Sequence, residues 1–191
     1  MKKLLLAIMA TGVLSGCTAN ETTTEEPKNM AKAEAAATST AQNNDDFYVV
    51  IEDGRLNVFY EAELYKSFLS VGEATFRKTM IGAGPKGETV MHGLTKKDSE
   101  KASGIPSVEM LEGRLAPAEK FYGEIRHEGR INVFDNWALL QEYLANHEVA
   151  FRVTEVGAGL KGETIVFAQT KANSEKQPTE LRAKFKAFYA K

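Results

Sequence analysis

Gly82-Ala83-Gly84-Pro85-Lys86-Gly87-Glu88-Thr89 returns 75 residues later as Gly157-Ala158-Gly159-Leu160-Lys161-Gly162-Glu163-Thr164. Sliding the chain by that interval lays residues 54–101 on 129–176 without a gap, and 23 of the 48 positions are identical. The shared residues include Arg55/Arg130, Asn57/Asn132, Val58/Val133, Phe59/Phe134, Phe76/Phe151, Arg77/Arg152 and Thr79/Thr154. Self-similarity this dense at one fixed interval is the signature of a unit used twice, so the fold is read one unit at a time.

Within each unit the hydrophobic period changes. Residues 47–52 are β-branched and aromatic, Asp53-Gly54 follows, and 55–60 alternate, which reads as a hairpin. The second unit has Glu128-Gly129 at the turn. Glu disfavours positive φ, so a three-residue loop with only the glycine left-handed is expected in both units. Leu56 and Val58, like Ile131 and Val133, share one face of their strand. Leu64, Tyr65, Phe68 and Leu69 then recur at helical spacing. So do Trp137, Leu139, Leu140, Tyr143 and Leu144, with Asp135 or Asn136 placed to cap and Trp137 on the core side. A helix this short needs a sheet to rest on. Residues 75–81 and 88–94 read as strands joined by the glycine-rich loop.

The expected fold class is α+β, a tandem duplication of a β-hairpin–helix–β-hairpin unit. It makes about eight strands in a mainly antiparallel sheet with one face covered. The first repeat covers 46–101 and the second 121–176, joined by a connector, 102–120, with a short helix near 108–111. A C-terminal helix fills 177–191, capped by Thr179 after Pro178 and lined by Leu181, Phe185 and Phe188 or Tyr189.

The chain opens with Met1-Lys2-Lys3, an apolar run over 4–13, then Leu14-Ser15-Gly16-Cys17. The run is too short for a permanent membrane helix, which needs about 20 residues. These residues resemble the signal sequence and lipobox of bacterial lipoprotein precursors. The resemblance implies a signal peptide over 1–16, a diacylglycerol on the Cys17 sulfur, cleavage before it, and a fatty acyl chain such as palmitate on the new amine. Thr18, where an inner-membrane retention signal has Asp, implies sorting to the outer membrane facing the periplasm in a Gram-negative host. Cys17 is the sole cysteine, so its lipidation leaves no thiol for a disulfide, a metal site or a nucleophile. Residues 17–45 hold no aromatic side chain and read as a disordered tether, its ends about 30 Å apart as a flexible coil.

At 43% hydrophobic and a net charge of -2 the chain can build a core and has no electrostatic case for a nucleic-acid partner. The glycine-rich stretch invites comparison with a phosphate loop, which curls backbone N–H groups round an anion ahead of a helix. Here the order is Lys-Gly-Glu-Thr, a strand follows, and Glu88 and Glu163 would repel a phosphate, so a hairpin loop is expected. Strand parity suggests a sharper site. Arg55 and Asn57 share a side, as do Arg77 and Thr79, and neighbouring strands would gather them into a set able to hold a carboxylate, sulfate or sugar. Arg130, Asn132, Arg152 and Thr154 would do the same in the second unit. The competing reading pairs the arginines with Glu73 and Glu88 and with their matches Glu148 and Glu163. His92, His127 and His147 do not stand at ligand spacing, and no Gly-x-Ser-x-Gly elbow occurs.

Hairpin–helix units with Gly-x-x-Asn-Val-Phe before the helix are similar in topology to the copper-binding lipoproteins that help mature nitrous oxide reductase. That resemblance implies a soft-ligand site, yet Met80 and Met91 stand opposite Glu155 and Val166.

These features predict a lipid-anchored envelope protein without catalytic activity, cofactor, metal site or nucleic-acid partner. It touches the membrane through Cys17 and binds an envelope protein, or a small ligand in the groove between the units. The alternative is a carrier that delivers a small ligand or metal to an envelope enzyme.

Overall fold

The computed structural model describes residues 43–190. The expected signal peptide, Cys17 and nearly all of the expected tether lie outside the described residues. In chain order the elements are β1 (Asp46–Glu52), β2 (Arg55–Phe59), α1 (Ala62–Val71), β3 (Phe76–Met80) and β4 (Thr89–Leu94). Two short helices follow, α2 (Lys96–Ser99) and α3 (Pro106–Leu111). Then come β5 (Tyr122–His127), β6 (Arg130–Phe134), α4 (Trp137–Asn146), β7 (Phe151–Glu155), β8 (Thr164–Gln169) and, after a turn of 3-10 helix, α5 (Thr179–Tyr189).

The strands form one eight-stranded sheet in the order β3-β4-β2-β1-β5-β6-β8-β7. Four neighbour pairs are antiparallel, and three, β1/β5, β2/β4 and β6/β8, are parallel. The mixed α/β class, the mostly antiparallel sheet and the C-terminal helix agree with the expectation. The parallel steps do not follow from hairpin patterns, because they join strands separated by a whole helix.

Those parallel steps decide where the helices go. β2 to β4 and β6 to β8 leave the sheet centre in opposite directions. Crossovers of one hand then place α1 and α4 on opposite faces. Tyr65 and Phe68 of α1 pack with Tyr48, Val50 and Phe59, whereas Leu140, Tyr143 and Leu144 of α4 pack with Phe47, Val49 and Ile125. Leu56 and Val58 therefore face α4, and Ile131 and Val133 face α1. The expectation of one covered face is corrected: both are covered. α5 completes the α1 side through Leu181 and Phe185, and α3 joins the α4 side through Met110. β1 is buried on both faces along residues 47–50, as its unbroken apolar run requires.

The hairpin turns also differ from expectation. Glu52 pairs with Arg55 and His127 with Arg130, leaving two-residue loops. Asp53 and Glu128 both take φ 50, followed by Gly54 and Gly129 at φ 69 and 71. Two left-handed residues match the twist of the strands they join. Pairing of two buried strands outweighs the roughly 1 kcal/mol that a non-glycine residue loses there. Asn136, not Asp135, caps α4 by accepting from Leu139 N. Thr179 is the first residue of α5 rather than its cap, and Trp137 is half-buried against the core.

His92 on β4 is 1% exposed, with Nδ1 3.0 Å from Ser107 Oγ of α3. Burial, with Lys78 adding to it, pushes the imidazole down to about 4. The unfolded chain takes this proton near pH 6.5, so between about 6.5 and 4 the unfolded state binds more protons. Stability is full above 6.5 and falls as pH drops toward 4, by up to about 3 kcal/mol from this group. Denaturant melts across that range test it: His92→Phe, which places the residue found at matching position 167, removes this part of the slope.

Candidate functional site

The first half of the sheet gathers the residues that parity singled out. Arg55, Asn57, Arg77 and Thr79 line one cleft of about 580 Å³. Register explains the gathering: Asn57 lies beside Met91 on β4, and Met91 lies opposite Thr79 on β3. α1 forms the wall with Phe68, and its C-cap Gly72, at φ +87, bends the chain to bring Glu73 and Arg77 to the rim. Asn57 is the buried floor, 2% exposed, its amide nitrogen donating to Val50 O at 3.2 Å. Arg55 and Arg77 have no carboxylate oxygen within 4.0 Å among the described residues. The expected pairing with Glu73 and Glu88 is absent there. The cleft lies within the first half, not in the expected groove between the units.

The second half places the matching residues alike and closes the space. Arg130, Asn132 and Arg152 line a hollow of about 70 Å³, and Thr154 is not among its walls. Tyr143 replaces Phe68 and His147 replaces Gly72, and both side chains fill the hollow. His147 holds the left-handed C-cap at φ 58 despite its side chain. Its ring sits 4.4 Å from that of His127, and Lys86 Nζ lies 3.4 Å from its Nδ1. Burial, then His127 and Lys86, push the His147 imidazole down. Arg152 is engaged by Glu148 at 3.3 Å and by Val149 O at 2.8 Å. The competing sequence reading thus holds for Arg152 and fails for Arg77. The fold brings together His127 and His147, which stand 20 positions apart at no ligand-like spacing, yet no three His, Cys, Asp or Glu converge among the described residues.

The glycine-rich loops hold their own anion. Lys86 N donates to Glu88 Oε2 at 2.8 Å, and Lys161 N to Glu163 Oε2 at 2.8 Å. Gly84 N and Gly159 N donate to the backbone oxygens of the same glutamates. A Cβ on Gly84 or Gly159 would stand 2.5 Å from that carboxylate, so glycine is required for the close approach. The nest that binds phosphate in other loops is filled here by a side chain two residues on.

Sequence reading missed a buried cluster at the centre of the sheet. Glu124 on β5 is 0% exposed and accepts from Tyr122 at 2.6 Å, Tyr189 at 2.6 Å and Tyr65 at 2.9 Å. Arg126 donates to Tyr65 at 2.9 Å, Glu163 at 2.8 Å and Tyr189 at 3.2 Å. Burial pushes the Glu124 carboxyl up, while the three hydroxyls and Arg126 pull it back. Burial and the Glu124 charge push the tyrosines up, keeping them as donors. Each of the three hydroxyls and each of the three guanidinium nitrogens has an acceptor, so the cluster ties α1, β5, α5 and the second glycine-rich loop together.

A larger cleft, about 1090 Å³, opens beside the connector. Its carboxylates are already engaged: Asp98 by Tyr60, Thr95 and Lys101, Glu109 by Arg114, and Glu61 by Asn43. Size alone therefore does not mark the site: among the described residues the smaller cleft carries unpaired carboxylates and guanidiniums together, whereas the larger has only Lys97 and the Asn43-bonded Glu61 without an ion partner. No family model, no curated protein and no solved structure matches the chain.

Proposed function

We propose that this chain is a lipid-anchored envelope protein that binds a small polar ligand in the cleft of Arg55, Asn57, Arg77 and Thr79 without transforming it. One observation carries the reading. Two guanidinium groups without ion partners among the described residues line an open hollow, while the matching arginine Arg152 is paired and its hollow is far smaller. A guanidinium pair over a buried amide suits an anionic group, held by charge-assisted hydrogen bonds. In this reading the two halves descend from one duplicated unit; the 23 identities in 48 positions and the shared strand pairing support it. The first half kept the binding space, and the second was packed shut.

Thermal unfolding with small carboxylates, sulfate and sugars tests the site. A ligand present at 100 times its Kd adds about 2.7 kcal/mol and raises Tm by roughly 5–10 °C in a domain of this size. The shift is expected to vanish in the Arg55→Ala/Arg77→Ala variant, whose changed residues are exposed. A shift that survives both substitutions places the ligand elsewhere.

The anchor has its own test. The full-length chain is expected in the detergent-rich phase after cloud-point partition, because two or more acyl chains give stable anchoring. Cys17→Ser is expected in the aqueous phase. Equal partition of the two chains would remove the lipid from the account.

A further inference from the structure

Five charged side chains line the first cleft: Arg55, Arg77, Glu52, Asp53 and Glu73. None is ion-paired to another within 4.0 Å among the described residues. Glu52 and Arg55 stand directly opposite each other across the β1–β2 turn, Glu73 follows the C-cap of α1, and Arg77 lies on the edge strand β3, so carboxylates and guanidiniums share the hollow without closing on each other. With three carboxylates and two guanidiniums the cleft is net negative, so a bare anion drawn to the arginines would meet the carboxylates. A neutral sugar would leave all five charges without a counter-ion. A simple cation would face the arginines. A molecule carrying both signs is complementary to both sets at once.

Resting on the binding reading above, we infer that the ligand is a zwitterion of the amino-acid class, a free α-amino acid or short peptide. Its carboxylate meets Arg55 and Arg77, and its ammonium group meets Glu52 and Glu73. Asn57, whose amide nitrogen donates to Val50 O at 3.2 Å and to Glu52 Oε1 at 3.4 Å, holds one oxygen of Glu52 at the cleft and offers its own oxygen as an acceptor on the floor. Phe68 and Met91 give the aliphatic part an apolar wall. The second half does not preserve this arrangement. Its matches to Glu52 and Gly72 are His127 and His147, and its Glu148 is consumed by Arg152.

Titration calorimetry of the full-length chain in detergent micelles tests the inference. The probes are the common free amino acids, the dipeptide Ala-Ala, acetate, sulfate and glucose, followed by the N-acetyl and C-amide forms of the tightest-binding amino acid or dipeptide. The free form is expected to bind, with each capped form at least tenfold weaker. Glu73→Gln is expected to weaken the free form and leave the N-acetyl form unchanged. An N-acetyl form that binds as well as the free one overturns the zwitterion and leaves an anion site standing. So does Arg77-dependent binding of acetate or sulfate with no binding of any amino acid or dipeptide. Absence of binding by every probe overturns both the inference and the cleft reading.

Discussion

Arg126→Met destabilises the folded chain by about 3–5 kcal/mol, the cost of breaking a buried charged cluster by removing one partner. Methionine keeps the apolar stem of arginine, so packing is largely retained. The cation is lost from between Glu124, which is wholly buried, and Glu163, which Arg126 bonds at 2.8 Å. Tyr65 and Tyr189 also lose the donor that oriented their hydroxyls toward Glu124. The loss is expected to be smaller near pH 5 than near pH 8. Without the guanidinium the Glu124 carboxyl, already raised by burial, rises further and escapes its penalty by taking a proton. Adding Glu124→Gln to Arg126→Met is expected to recover part of the stability, because no buried charge then stands alone. Urea melts of the single and double variants at both pH values check all three expectations. A single-variant change under about 1 kcal/mol would mean that the cluster is not a clasp.

Ending the chain at Pro178, which removes α5, is expected to abolish native packing. Leu181 and Phe185 are each buried, and a side chain of that kind contributes about 1.5–3 kcal/mol. Their partners Ile131, Val133, Ile165 and Phe167 would face water on the α1 side. Tyr189 would be lost from Glu124, a hydrogen bond to charge worth about 1.5–3 kcal/mol. The Arg182–Glu155 bond that holds α5 to β7 would go as well. These losses come to about 5–9 kcal/mol, comparable with the lower half of the roughly 5–15 kcal/mol that a typical domain has. The expected signature is lost near-ultraviolet dichroism with much of the far-ultraviolet signal retained. A truncated chain with native dispersion of its amide resonances would show that α5 is only an appendage.

Local structure was legible because it is written in periods. The β-branched and aromatic run over 47–52, alternation over 55–60, then helical spacing from Leu64 to Leu69, located β1, β2 and α1 within a residue or two. The candidate cleft was legible for the same reason: parity in a strand is two, so Arg55 with Asn57 and Arg77 with Thr79 had to share sides. Strand order was not, since the parallel pairing of β2 with β4 depends on a crossover and not on neighbouring residues. That omission hid the Glu124 cluster. Tyr122, Glu124 and Arg126 alternate as a solvent-facing strand edge would, and only a second covering layer, made by α1 and α5, turns that face inward. One available signal was the absence of matches: none of residues 46–53 is identical to its counterpart in 121–128, and there Glu124 and Arg126 stand opposite Val49 and Ile51. Local preference also misled at Glu128, where the two-residue turn overrides the residue's dislike of positive φ.

What stays open in the first half is filled in the second, and that contrast is the centre of the account. Native mass spectrometry of the full-length chain, isolated from cells that make it and released from detergent micelles, tests it most directly. The expected spectrum carries one small-molecule adduct per chain, absent from the Arg55→Ala/Arg77→Ala variant prepared in the same way. A chain that emerges bare, or an adduct that persists in the double variant, would contradict it.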